Sequence, residues 1–118
     1  MNQAGHGDEA ASDITAQDIE ARLRDALRDA LKTRDLVAAF ALRSALAAIG
    51  NAGAVPEGLA GATEAARRQL GPADLREIVR AEISEREITA SQYEEAGHTD
   101  RAERLRREAQ ILRTVLDS

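Results

Sequence analysis

The stretch YEEAGHTDRAERLRREAQIL, residues 93 to 112, decides how this chain folds. Helix formers run up to Ala96, three residues unsuited to a helix interior follow, and a second helical pattern begins at once. Gly97 takes a positive φ without steric penalty and so ends one helix, while Asp100 with Glu103 forms a D-x-x-E pattern that caps the next. Beyond it Leu105, Ala109, Leu112 and Leu116 recur at spacings of four, three and four, the narrow seam of helices packed nearly antiparallel. This predicts an αα-hairpin with its bend at Gly97 to Thr99. Gly97 and Asp100 are its structural residues.

Upstream, Pro72 suits the first position of a helix and Asp74 its first turn. Leu75, Ile78, Val79, Ile83, Ala90 and Tyr93 then mark one apolar side, so this helix is predicted to run to about residue 95. Residues 53 to 71 hold glycines and a proline and read as a mobile loop, with one candidate helical turn in TEAARRQL. Before the loop, Asp35 caps LVAAFALRSALAAI, residues 36 to 49, in which Arg43 is the sole charge. A helix apolar on nearly all sides is expected to be buried on more than one face, which places it at the centre of the bundle. Gly50 and Gly53, around Asn51, are expected to end it. The first helix is predicted over residues 16 to 33, capped by Thr15 with Asp18 and buried through Ile19, Leu23, Leu27 and Leu31, flanked by Ala26 and Ala30. Residues 1 to 14 are small and polar without periodicity, which predicts a disordered tail ahead of one helical domain over 15 to 118.

Composition agrees with this outline. The 118 residues suffice for one hydrophobic core. They are 43% hydrophobic but 2% aromatic, so the core must come from aliphatic side chains and Ala, the best helix former. The fold class is therefore all-α: a small helical bundle with a central apolar helix and a long C-terminal antiparallel hairpin. Cysteine is absent, which excludes disulfides, thiolate metal sites and cysteine nucleophiles. No apolar stretch approaches the roughly 20 residues that span a bilayer, and no signal peptide opens the chain, so a cytoplasmic protein without a membrane partner is expected. A net charge of -5 opposes nonspecific attraction to nucleic acid, so DNA is not expected as a partner and any RNA contact must come from a local patch.

Few residues suggest chemistry. Glu95-x-x-His98 has the spacing of half a di-iron motif, but the other histidine, His6, lies in the tail, and His98 is better read as a helix-terminus residue favoured by the local dipole. Ser44, Ser84 and Ser91 lie within helices without a nucleophile elbow, and the glycines after residue 49 lack the G-K-[ST] of a phosphate loop. No metal, cofactor or catalytic constellation is read, and an enzyme would have to use His98 with Glu94 and Glu95. Arg43 must either snorkel to solvent or meet a carboxylate, with Glu82 and Glu108 the expected partners in a structural ion pair. The same argument applies to Arg86, on the apolar side of its helix. The last helix carries Arg101, Arg104, Arg106, Arg107 and Arg113 among acidic residues, a weak patch best read as a solvated face.

Two stretches carry a family likeness. RDLVAAFALRSALAAIGNA has an acid at Asp35, a central Leu42-Arg43 and then Ala47 to Ala52 as AAIGNA. EIVRAEISEREITASQYEEAGHTDRAERLRREAQIL supplies Glu82, Ile83, Arg86, Tyr93, Ala96, Gly97, Asp100, Glu108, Ile111 and Leu112, with His98 where the family usually has arginine. In these the sequence resembles the GatB/YqeY family, which joins YqeY-like proteins to the GatB tail domain of the aspartyl/glutamyl-tRNA amidotransferase. The resemblance implies a noncatalytic accessory module linked to tRNA-dependent amidation, under a family label of carbon-nitrogen ligase with glutamine as amido-N-donor. Its implied partners are tRNA or an amidotransferase-type complex, with Arg43, Asn51, Arg86, His98, Arg101 and Arg104 as candidate contacts and Glu82 and Glu108 as structural residues. The alternative reading is a helical protein-interaction module or homo-oligomer without RNA binding.

Overall fold

The computed structural model describes residues 19–54 and 70–118. They form α1, helical over residues 19–33, then α2 (Leu36–Ala52), α3 (Pro72–Glu95) and α4 (Thr99–Asp117). The described residues contain no strand. This is the expected all-α bundle: α3 and α4 fold back on each other as the long hairpin, and α2 packs against both. The predicted tail, the cap at Thr15 and Asp18, and the TEAARRQL turn up to residue 69 lie outside the described residues.

Both tight turns use one backbone device. After α3, Gly97 takes φ 84°. Its N–H donates to the Glu94 carbonyl at 3.0 Å, and the His98 N–H to the Tyr93 carbonyl at 2.8 Å, the paired bonds of a Schellman turn. After α1 the same pattern recurs without a glycine. Arg34 takes φ 58°, its N–H donates to the Leu31 carbonyl at 3.3 Å, and the Asp35 N–H donates to the Ala30 carbonyl at 2.8 Å. Asp35 then starts α2, its carboxylate accepting from the Ala38 N–H at 3.2 Å. At α3, Pro72 takes the first helical position and Asp74 accepts from the Gly71 N–H at 3.0 Å. This is the side-chain half of a capping box whose cap residue has no side chain of its own.

Helix rotation decides which apolar residues reach the core. Ile19, Leu23, Leu42, Val79 and Leu112 are the largest fully buried side chains, and each such burial is worth about 1.5–3 kcal/mol. Steps of four residues advance about 40° around a helix. The α1 stripe therefore drifts: Ile19 and Leu23 are buried, Leu27 is half-buried, and Leu31, expected in the core, is 46% exposed. Ala30 takes its place.

Three further expectations are corrected by the fold. α2 buries Ala38, Ala39, Ala41, Leu42, Ala45 and Ile49, but Leu36, Phe40, Arg43 and Ala47 form a stripe open to solvent, so the helix is not shielded on all sides. α2 also continues through Gly50 to Ala52, with Gly53 as its cap residue at an ordinary negative φ. Finally, α4 begins at Thr99 behind His98, whose side chain makes no capping bond. Asp100 therefore sits in the first turn, where its charge favours the helix dipole, and is not the cap.

The two turns predict opposite responses. Nothing lies within 4 Å of a Cβ built on Gly97, so Gly97→Ala carries conformational strain alone and is expected to destabilise by about 1–2 kcal/mol. Arg34→Gly relieves the equivalent strain and is expected to raise stability by up to about 1 kcal/mol. Urea unfolding of both variants checks the pair.

Candidate functional site

The helix faces that meet between α2, α3 and α4 carry polar side chains into the core. Arg86 follows Val79 and Ile83 on the inner side of α3 and is only 8% exposed, while Glu108 on α4 is 3% exposed. A guanidinium and a carboxylate so placed must find each other, because an unpaired buried charge is costly. Arg86 Nε donates to Glu108 Oε1 at 2.9 Å. One terminal nitrogen of Arg86 donates to the Glu82 carbonyl at 3.1 Å and to Glu82 Oε1 at 3.3 Å. Ser44 on α2 donates its hydroxyl to the same Glu82 oxygen at 2.8 Å. From the rim, Arg104 Nε lies 3.7 Å from Glu108 Oε2. Among the described residues no buried side-chain polar atom is left without a hydrogen-bond partner.

The network thus ties three helices together. It also floors an open groove of about 380 Å³, walled by Phe40, Glu85, Thr89 and Leu105. The buried Glu108 and the half-buried Glu82 are both engaged with Arg86, so the arrangement holds helices in register. Ser44 has no sequence signal for this role: a serine reads as helix surface unless the phase of α2 is known.

The sequence-predicted contact residues do not converge. Arg43 is exposed and makes no ion pair with Glu82 or Glu108, contrary to expectation, because Arg86 occupies both carboxylates. Asn51 is exposed on the last turn of α2. Arg86 is internal. His98 and Arg101 gather at the hairpin tip, where the Tyr93 ring meets the His98 ring edge-on at a centroid distance of 6.0 Å and the Arg101 guanidinium sits 5.6 Å above Tyr93. Arg104 is exposed along α4, one turn from that tip. Among the described residues no three His, Asp or Glu side chains are grouped to hold a metal ion, and no helix is long and apolar enough to cross a membrane.

A second clasp lies at the other edge of the bundle. Arg107 on α4 donates to Asp35 Oδ2 at 2.5 Å, and Arg106 pairs with Glu94. The Ala38 N–H, followed by Arg107, holds the Asp35 carboxyl below its ordinary pKa.

These contacts set two expected outcomes. Arg86→Met leaves the buried Glu108 with only Arg104, 3.7 Å away at the rim, which is expected to cost about 3–5 kcal/mol, a large part of the stability of a domain this size. Adding Glu108→Leu should recover most of the loss in urea titrations. For Asp35 the folded pKa is the lower one, so its contribution is complete above the unfolded carboxylate pKa of about 3.9 and disappears as pH falls through the folded value. Asp35→Asn keeps a capping side chain but removes this titration. Its stability should fall below wild type at neutral pH and converge with it in acid, as read by thermal melts between pH 2 and pH 7.

Of the charged residues that carry the family likeness within the hairpin, Glu82, Arg86 and Glu108 are the members of this network, and Asp100 is exposed in the first turn of α4. Comparison with known proteins agrees with that likeness. No curated protein and no solved structure matches the chain. The family described as Yqey-like protein matches residues 20–117, which takes in α2, α3 and α4 with their shared network, and the chain belongs to this family.

Proposed function

We propose that the chain is a noncatalytic accessory module for tRNA-dependent amidation, acting in the manner of the amidotransferase tail domain that its sequence resembles. Family membership supports a domain like that tail, and the link to amidation is drawn from the likeness. The observation that carries the noncatalytic part is the network itself: the buried Arg86 and Glu108 and the half-buried Glu82 are spent on one another and on Ser44, and so serve as scaffold. On this reading the carbon-nitrogen ligase label describes the process the module assists, and the module's own task is to bind. Arg86 is withdrawn as a contact because it is internal, whereas Arg43, Asn51, His98, Arg101 and Arg104 remain on the surface as candidates.

A second reading has its own observation. Leu36 is 73% exposed, Phe40 57% and Ile88 59%, the kind of apolar surface that a protein partner or a second copy would cover. A dimer in sedimentation that Phe40→Ser dissociates would favour it.

Filter binding with tRNA at several salt concentrations tests the leading reading. Binding that weakens steeply as salt rises is expected, since an acidic protein can hold RNA only through localised phosphate contacts. No retention at the lowest salt would overturn it.

A further inference from the structure

Resting on that reading, we propose that the phosphate backbone of the RNA is held in the groove between the first half of α3 and the end of α4, by Arg76, Arg80 and Arg113 with the Ser84 hydroxyl. Arg76, Arg80 and Ser84 follow one another at four-residue intervals along α3. They line a groove of about 350 Å³, and Arg113 closes it from α4. A further groove on the flank of α3 shares Arg76, Arg80 and Ser84, so these side chains stand on a continuous open surface.

Lack of a carboxylate partner separates Arg76 and Arg80 from most other arginines of α3 and α4. Arg86, Arg104, Arg106 and Arg107 are each committed to a carboxylate. Among the described residues Arg76 and Arg80 have no such partner, although Glu77 lies beside them in sequence. Arg113 is anchored by Glu87 at 2.7 Å through one nitrogen, which fixes its direction and leaves its other donors available. Arg76 is half-buried, so its stem is held and less freedom is lost when its planar fork meets an oxyanion.

The geometry suits a strand of phosphates better than a single anion. Four helical residues rise about 6 Å, so Arg76 and Arg80 can meet successive phosphates while Ser84 donates a hydroxyl hydrogen bond further along. Glu87 and Asp117 also line the groove, leaving an excess of 3 - 2 = 1 positive charge over the three arginines. On a chain of net charge -5, that modest surplus makes the attraction local and strongly dependent on salt. Arg28 and Lys32 also stand exposed at a four-residue interval, on α1, and line neither of these grooves, which makes them a matched control.

Fluorescence anisotropy with labelled, unmodified tRNA, from low to moderate salt, tests the assignment on four full-length chains: wild type, Arg76→Ala with Arg80→Ala, Arg76→Lys with Arg80→Lys, and Arg28→Ala with Lys32→Ala. The α3 alanine pair is expected to bind about tenfold or more weakly and to lower the slope of log affinity against log salt by about 2. The lysine pair should keep the slope, and the control pair should keep both. Circular dichroism checks folding, which alanine on an exposed helix face preserves. Wild-type affinity in the α3 alanine pair, or an equal loss in the control pair, overturns this site while leaving RNA binding by the module intact. Competition by polyglutamate as strong as by unlabelled tRNA would show an acidic protein segment to be the occupant and overturn it too. No binding of tRNA by wild type overturns the underlying reading, and this site with it.

Discussion

The bundle depends on one buried guanidinium. Arg86 reaches Glu108 across the hairpin and Glu82 one turn back on its own helix, and Ser44 attaches α2 to the same carboxylate. An aliphatic, alanine-rich core packs without strong directional preference, because Ala and Leu faces can slide or rotate against one another at small cost. A hydrogen-bonded charge cluster has few acceptable geometries. It therefore contributes register more than net stability, since its desolvation offsets much of its attraction. The Asp35–Arg107 clasp fixes the entry of α2 in the same manner at lower energetic stakes, being partly open to solvent.

This division of labour shapes the functional reading. Glu82, Arg86 and Glu108 of the family pattern turn inward to define the fold, whereas Arg43, Asn51 and Asp100 of the same pattern stand on the surface. Surface residues can then change without disturbing the scaffold. Arg76, Arg80 and Arg113 illustrate the point: α3 and α4 bring them to one groove only because the buried network sets how the two helices align.

Where one residue type dictates backbone or burial, the sequence is legible. Gly97 marks the hairpin bend, Asp35 caps α2, Pro72 and Asp74 open α3, and the α4 seam places Leu112 and Leu116 inside. Illegible features depend on rotation or on neighbours distant in the chain. In a segment as uniformly apolar as residues 36 to 49, the pattern carries no phase, and adjacent positions differ by about 100°. Arg43 thus reads as the interior cation, while Ser44, its neighbour, is the one that meets Glu82. Arg34 in a left-handed conformation has no sequence signal, because the return of α1 into α2 imposes it. The candidate contacts form one set in the sequence, yet Arg43, Arg86 and Arg101 belong to three separate surroundings. The groove arginines leave no mark in the sequence because Arg76 and Arg113 meet only through the hairpin.

Hydrogen exchange at individual arginine Nε–H groups, followed by nuclear magnetic resonance on the intact chain, reports on the burial of Arg86. Arg86 should show a signal strongly protected from solvent, with protection lost only on global unfolding, while that of Arg43 exchanges at the rate of a free side chain. Equal, rapid exchange at both would contradict a buried Arg86 network and with it the alignment of helices on which the site assignments rest.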